Sequence, residues 1–175
     1  MKIVFYRPLF EDVNFLIKAQ QYLDLKNKNG TFYNFNLNPE LKRYEGIAKV
    51  KGLNNNRCYK NSLTTFKSKG FPIIIGFILK NKDHERILNK DNLEELNLID
   101  FTFHCWNDRD GKIYDPTLGG TKAKKYCYYG TEIPEEDALN FNSDGQVSEY
   151  LKSKLNFKKL GERKWQKNLL PINSY

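Results

Sequence analysis

Cys58, His104 and Asp115 are the residues of this chain whose types and settings suit acyl chemistry. Cys58 stands in "NNNRCYKNSLTTF" (54–66), at the head of a stripe of Tyr59, Ser62, Leu63 and Phe66 at helical spacing. A thiol in the first turn of a helix is pushed toward the thiolate by the helix's positive end. His104 lies in "IDFTFHCWN" (99–107), which alternates like a strand, and Asp115 in "KIYDPT" (112–117) beyond "DRDG". An imidazole beside a thiol can take and return its proton, and a carboxylate on that imidazole fixes its tautomer. Each residue also has an ordinary reading: a small buried hydrophobe, a satisfied strand histidine, a turn former before proline.

The elements that must position them follow from pattern. The stripe from Cys58 predicts a helix to Lys69 stopped by Gly70, with Leu63 and Phe66 docking it. "FPIIIGFIL" (71–79) reads as a buried strand, where Gly76 suggests a bulge or a close backbone approach. Residues 99–107 and 112–117 read as a hairpin. With 108–111 as a four-residue loop, Asn107 faces Lys112 and His104 comes near Asp115. One residue of slip would put Tyr114 there instead. Thr102, His104 and Trp106 share one face of their strand, and Phe101, Phe103 and Cys105 the other.

Further elements are a strand at 2–6, a helix from Phe10 to about Lys26, a short helix near Lys90–Leu96 and a strand at 124–130. Pro134 opens a short helix, and 144–156 reads as another. Residues 41–56 read as irregular, and His84, in "NKDHER", as surface. Together these predict one α+β domain over 1–175, a cysteine-bearing helix packed on an antiparallel sheet.

The 175 residues suit one domain, and 14% aromatic content supports a core built largely from rings. No signal peptide and no run of membrane-spanning length is read, so a cytoplasmic location with reduced thiols is the expectation. The three cysteines show no CxxC spacing. A zinc site from Cys58, His104, Cys105 and Cys127 fits no standard pattern. The expectation is no metal and no cofactor. Net charge is +8, and 151–175 holds seven Lys or Arg against Glu162 alone. That basic segment is either a solvated face or a contact for nucleic acid or an acidic protein.

A cysteine opening a helix, then "HCW", then "GKIYDPT" on the next strand, resembles the papain-like superfamily, in its transglutaminase-like and NlpC/P60-like branches. The His-x-Trp and Gly-x-x-x-Asp-Pro-Thr arrangement is most similar to the transglutaminase core. The following "YYG" also resembles small bacterial and phage proteins of this kind. The resemblance covers about 54–133. It implies a papain-like fold with Cys58 as nucleophile, His104 as general base and acid, and Asp115 orienting the histidine. It also implies an oxyanion hole built from the nucleophile's own backbone N–H and an upstream amide. Papain-like proteases carry a glutamine where this chain has Gly52, so Asn54, Asn55 and Asn56 become the candidate donors. Trp106 is expected to wall His104 beside the substrate, or to pack in the core.

Two functions follow as expectations. One is a cysteine hydrolase or acyl-transfer enzyme (protease, amidase or transglutaminase-like) acting on a peptide or protein amide through an acyl-enzyme on Cys58. The other is a non-catalytic papain-like module that binds an anionic partner through the basic segment at about 144–175. A phage or bacterial effector would satisfy both.

Overall fold

The strand that organises the molecule is "IIIGFILK". Its β-branched residues favour extended backbone, and Ile73 through Leu79 are buried on both faces. The computed structural model describes residues 10–28 and 41–141, together with Gln146 and Tyr150. Their elements run α1 (Phe10–Lys28), β1 (Lys42–Tyr44), α2 (Cys58–Lys69), β2 (Ile73–Lys80), α3 (Asn81–Asn89), a 3-10 turn (Leu93–Glu95), β3 (Thr102–Arg109), β4 (Lys112–Tyr114), α4 (Gly119–Ala123), β5 (Tyr126–Glu132) and α5 (Glu135–Asn140). The strands form one antiparallel sheet in the order β1-β5-β2-β3-β4, so the architecture is α+β.

Each face of the sheet buries its own cluster. Ile73, Ile75, Phe77 and Leu79 meet α1 through Phe15, Leu16, Ala19, Tyr22 and Leu23. The spacing of those five gives α1 one apolar stripe. Phe66 of α2 and Ile87 of α3 join the same cluster, with Cys58, Tyr59 and Leu63 packed at its margin. On the other face Ile74, Ile78, Trp106, Ile113, Ala123 and Tyr128 form a smaller cluster. The alternation expected along β3 holds, with Cys105 in the larger cluster and Trp106 in the smaller. α2 lies against β3. Asn107 pins it there, its buried amide donating to the carbonyls of Ser62 and Phe71 at 3.0 Å each. Gly70 ends α2 in the left-handed conformation at φ 71°, its N–H donating to Phe66 O.

Several sequence readings need correction. The β3–β4 connection is not a four-residue loop. Asp110 and Gly111, at φ 55° and 78°, form a two-residue turn with both central residues left-handed. Asn107 therefore faces Tyr114, and Arg109 faces Lys112. The helix expected near Lys90–Leu96 lies earlier, as α3, leaving only the 3-10 turn in that stretch. The reading of 41–56 as irregular misses β1, which adds to the sheet beside β5. The strand expected at 2–6 and most of the basic segment at about 144–175 lie outside the described residues. Among the described residues no helix is long and apolar enough to cross a membrane.

Candidate active site

Cys58 is the first residue of α2, half-buried, and its thiol is one of the two groups whose interaction with the His104 ring raises that ring's pKa, Asp115 being the other. Arg57 is the N-cap, and its carbonyl accepts the Asn61 N–H at 2.9 Å, closing the first helical turn. No side chain caps this end, so the first turn's N–H groups keep their exposed positive pole beside the sulfur.

His104 Nε2 lies 2.6 Å from Asp115 Oδ2, and the carboxylate is fully buried. That leaves Nδ1 as the ring atom for the Cys58 thiol. Asp115 Oδ1 accepts the backbone N–H groups of Thr117 (2.9 Å) and Leu118 (2.8 Å). Oδ2 also accepts the Tyr128 hydroxyl at 2.8 Å. Four donors thus converge on one carboxylate. Burial alone would raise its pKa, but His104, the Leu118 N–H and the Tyr128 hydroxyl together hold it below the usual carboxylate value. Burial works to lower the His104 pKa. The hydrogen bonds to Asp115 and Cys58 and the charges behind them prevail, lifting it to about 9. The ring is therefore an imidazolium at neutral pH.

The loops carrying these groups are tied together by backbone. The N–H groups of Leu53 and Asn54 donate to the carbonyls of Pro116 and Thr117 at 2.9 Å each. Gly52 and Gly119 make this approach possible. A Cβ on Gly52 would sit 2.5 Å from the Leu118 carbonyl, and Gly119 holds φ 74°. Gly52 is thus occupied with backbone contact. Asn61 reinforces the junction, its buried amide donating to Asn55 Oδ1 (2.7 Å) and Thr117 Oγ1 (2.9 Å).

The three asparagines differ. Asn54 has φ 51° and its Oδ1 accepts the Lys122 ammonium at 2.6 Å. Asn55 Oδ1 accepts from Asn61 and from the Arg57 N–H at 3.2 Å. Asn56 is exposed, with no hydrogen bond from its side chain among the described residues. Trp106 lies in the core rather than on accessible surface. It is 0% exposed, edge-on to Tyr128 (5.0 Å) and Tyr44 (5.5 Å), with its ring centroid 6.3 Å from that of His104. The indole occupies space cleared by glycine, since a Cβ on Gly130 would come 2.6 Å from Trp106 Cη2. Gly76 pairs between Gly130 and His104, and a Cβ there would strike the Tyr129 carbonyl, the close approach its position suggested.

Sequence reasoning passed over Tyr128. It stands on β5, separated from β3 by β2, so no local pairing links it to Asp115. Its alternation with Tyr126 and Gly130 marks its face, but only sheet order names its partner. His84 is likewise not surface. It is 5% exposed, stacked on Phe15 at 4.2 Å, with Nε2 2.8 Å from the Tyr129 hydroxyl. Asp83, His84 and Ile87 form the buried stripe of α3. Cys105 is buried in the larger cluster, and Cys127 donates to Asn81 Oδ1 at 3.3 Å. Among the described residues no three His, Cys, Asp or Glu side chains group to hold a metal.

The two histidines give stability opposite pH dependences. Burial, then Arg43, lowers the His84 pKa from 6.5 to about 4. Its unfolded form therefore binds more protons between those values, and stability rises with pH there. His104, raised to about 9, binds more protons when folded, so its contribution is complete below 6.5 and fades as pH rises to about 9. Urea unfolding across this range should show a maximum near pH 6.5. A stability that climbs steadily from pH 6.5 to 9 would contradict the charged His104.

No family model, no curated protein and no solved structure matches the chain.

Proposed function

We propose that this protein is a papain-like cysteine enzyme that cleaves or transfers an acyl group through Cys58, His104 and Asp115. The observation that carries the reading is the buried His104–Asp115 pair with the Cys58 thiol on the same imidazole at a helix N-terminus. A neighbouring imidazolium and a helix N-terminus are together the setting in which a thiol becomes nucleophilic.

Cys58 Sγ attacks the carbonyl carbon of a peptide or protein amide, forming a C–S bond. The developing oxyanion is met by the backbone N–H of Cys58 and an amide from Asn54, Asn55 or Asn56, of which Asn56 is uncommitted. His104 Nδ1 gives its proton to the leaving nitrogen as the C–N bond breaks. The neutral ring then takes a proton from water, in hydrolysis, or from an amine, in transfer. The new nucleophile displaces Sγ and restores the starting pair. Asp115 keeps the ring oriented and balances its charge throughout.

The test is competitive alkylation of the folded protein with iodoacetamide at pH 7. Cys58 should be modified at least about tenfold faster than Cys105 or Cys127. Cys105 is fully buried, and burial pushes the Cys127 thiol pKa up. Equal, slow modification of all three would remove the nucleophile from this reading.

A further inference from the structure

The two segments that frame Cys58 are free of acidic residues. Residues 46–69 contain six Lys or Arg and no Asp or Glu, and residues 116–125 contain three lysines and no Asp or Glu. Their backbones are joined at Leu53–Pro116, Asn54–Thr117 and Gly120–Val50. Most acidic residues of the described chain fall at 83–100 and 132–137; Glu45 and Glu85 share a cavity wall with Lys124, and Asp110 one with Lys49, but none of these acids lies in the segments around Arg57, Lys60 and Lys122. None of these nine cations forms an ion pair among the described residues. Lys122 and Lys69 reach neutral groups, Lys122 the Asn54 oxygen and Lys69 the Tyr114 hydroxyl and the Tyr114 and Phe71 rings. Arg57 directly precedes the thiol, Lys60 follows it by two residues, and Lys122 holds the loop before it. Asp115, which adjoins this frame, is buried and paired with His104.

The cavities of about 510 and 370 Å³ lie around Tyr126 and Lys112, and neither is lined by Cys58, His104 or Asp115. Leu53, 61% exposed, adds one apolar contact beside the cations. Among the described residues no aromatic ring is left exposed on which nucleic-acid bases could stack.

Resting on the proposed acyl chemistry, we infer that the substrate is an acidic stretch of polypeptide. Its Asp or Glu side chains flank the reacting amide and lie along the cationic frame of Arg57, Lys60 and Lys122. Like charges concentrated without partners raise the potential at the mouth and favour an anionic chain over a neutral one, in encounter and in orientation.

The test compares fluorogenic peptide amides of one core sequence with acidic, neutral or basic flanks. The acidic peptide should give the highest kcat/KM, on the order of tenfold above the neutral one. Raising salt to about 0.5 M should erase most of that ratio. The double charge reversal Arg57→Glu and Lys60→Glu should invert the preference. As a binding measurement free of turnover, Cys58→Ala should bind a labelled Glu-rich peptide more tightly than an oligonucleotide of equal charge.

Equal kcat/KM for acidic and neutral peptides, or tighter binding of the oligonucleotide, overturns the acidic-polypeptide inference while leaving the Cys58 chemistry standing. Failure of the enzyme reading has a different signature: slow Cys58 alkylation and no turnover of any peptide. That outcome overturns both.

Discussion

If Cys58 is the proposed nucleophile, Cys58→Ala should abolish turnover and leave the protein folded. The loss should be at least about 10⁴-fold on any peptide amide or activated ester that the wild type consumes, because the proposed acyl-enzyme forms on the Cys58 sulfur. Stability should change by less than about 1 kcal/mol. The residue is only half-buried, sits at a helix end, and gives up one sulfur to an alanine that a helix accepts readily. Urea unfolding of the variant beside a turnover assay checks both halves. Retained turnover would place the chemistry elsewhere. A collapse of stability would make Cys58 a packing residue.

Asp115→Asn should lose activity by about 10⁴-fold for a different reason. The Oδ1 position is held by two backbone donors, so the amide oxygen of the new residue belongs there. Its NH₂ then faces His104 Nε2, which can accept only as the neutral tautomer protonated on Nδ1. That tautomer cannot take a proton from the Cys58 thiol. The ring also loses the carboxylate that lifts its pKa to about 9, and with it the stability lost between pH 6.5 and 9. The variant should therefore be less stable than wild type at neutral pH, by about 3 kcal/mol, and flat across that window. Ring-nitrogen NMR shifts would report the tautomer directly. An unchanged slope with pH would detach Asp115 from the titration of His104.

The strand β2, the helix α2 and its stop at Gly70 were legible because each rests on a local rule: an apolar β-branched run, a stripe at helical spacing, a left-handed glycine. The hairpin was legible in kind but misread in register. "DRDG" reads as a whole loop, whereas "DG" is by itself the two-residue turn that suits a hairpin's twist. The error was two residues, which preserves the parity of a strand, so His104 and Asp115 stayed on one face. An error of one residue would have separated them. His84 was misread because its charged neighbours are the exposed face of α3, while its own side is the stripe carrying Ile87. β1 was missed because three residues, "KRY", carry too short a pattern, and their partner β5 lies far along the chain.

The sequence by itself determined what each segment becomes and which face each side chain takes, because helical and strand periodicities are properties of the local backbone. It placed the thiol at a helix start and the imidazole and carboxylate on one face of a hairpin. Only the tertiary structure decided that the start of α2 meets that face, that Gly52 and Gly119 let the two loops touch, and that Tyr128 reaches Asp115 from β5. Those contacts depend on strand order and on helices covering a sheet buried on both sides. Such packing is chosen by the burial of the whole chain's apolar surface, and no window of sequence contains it.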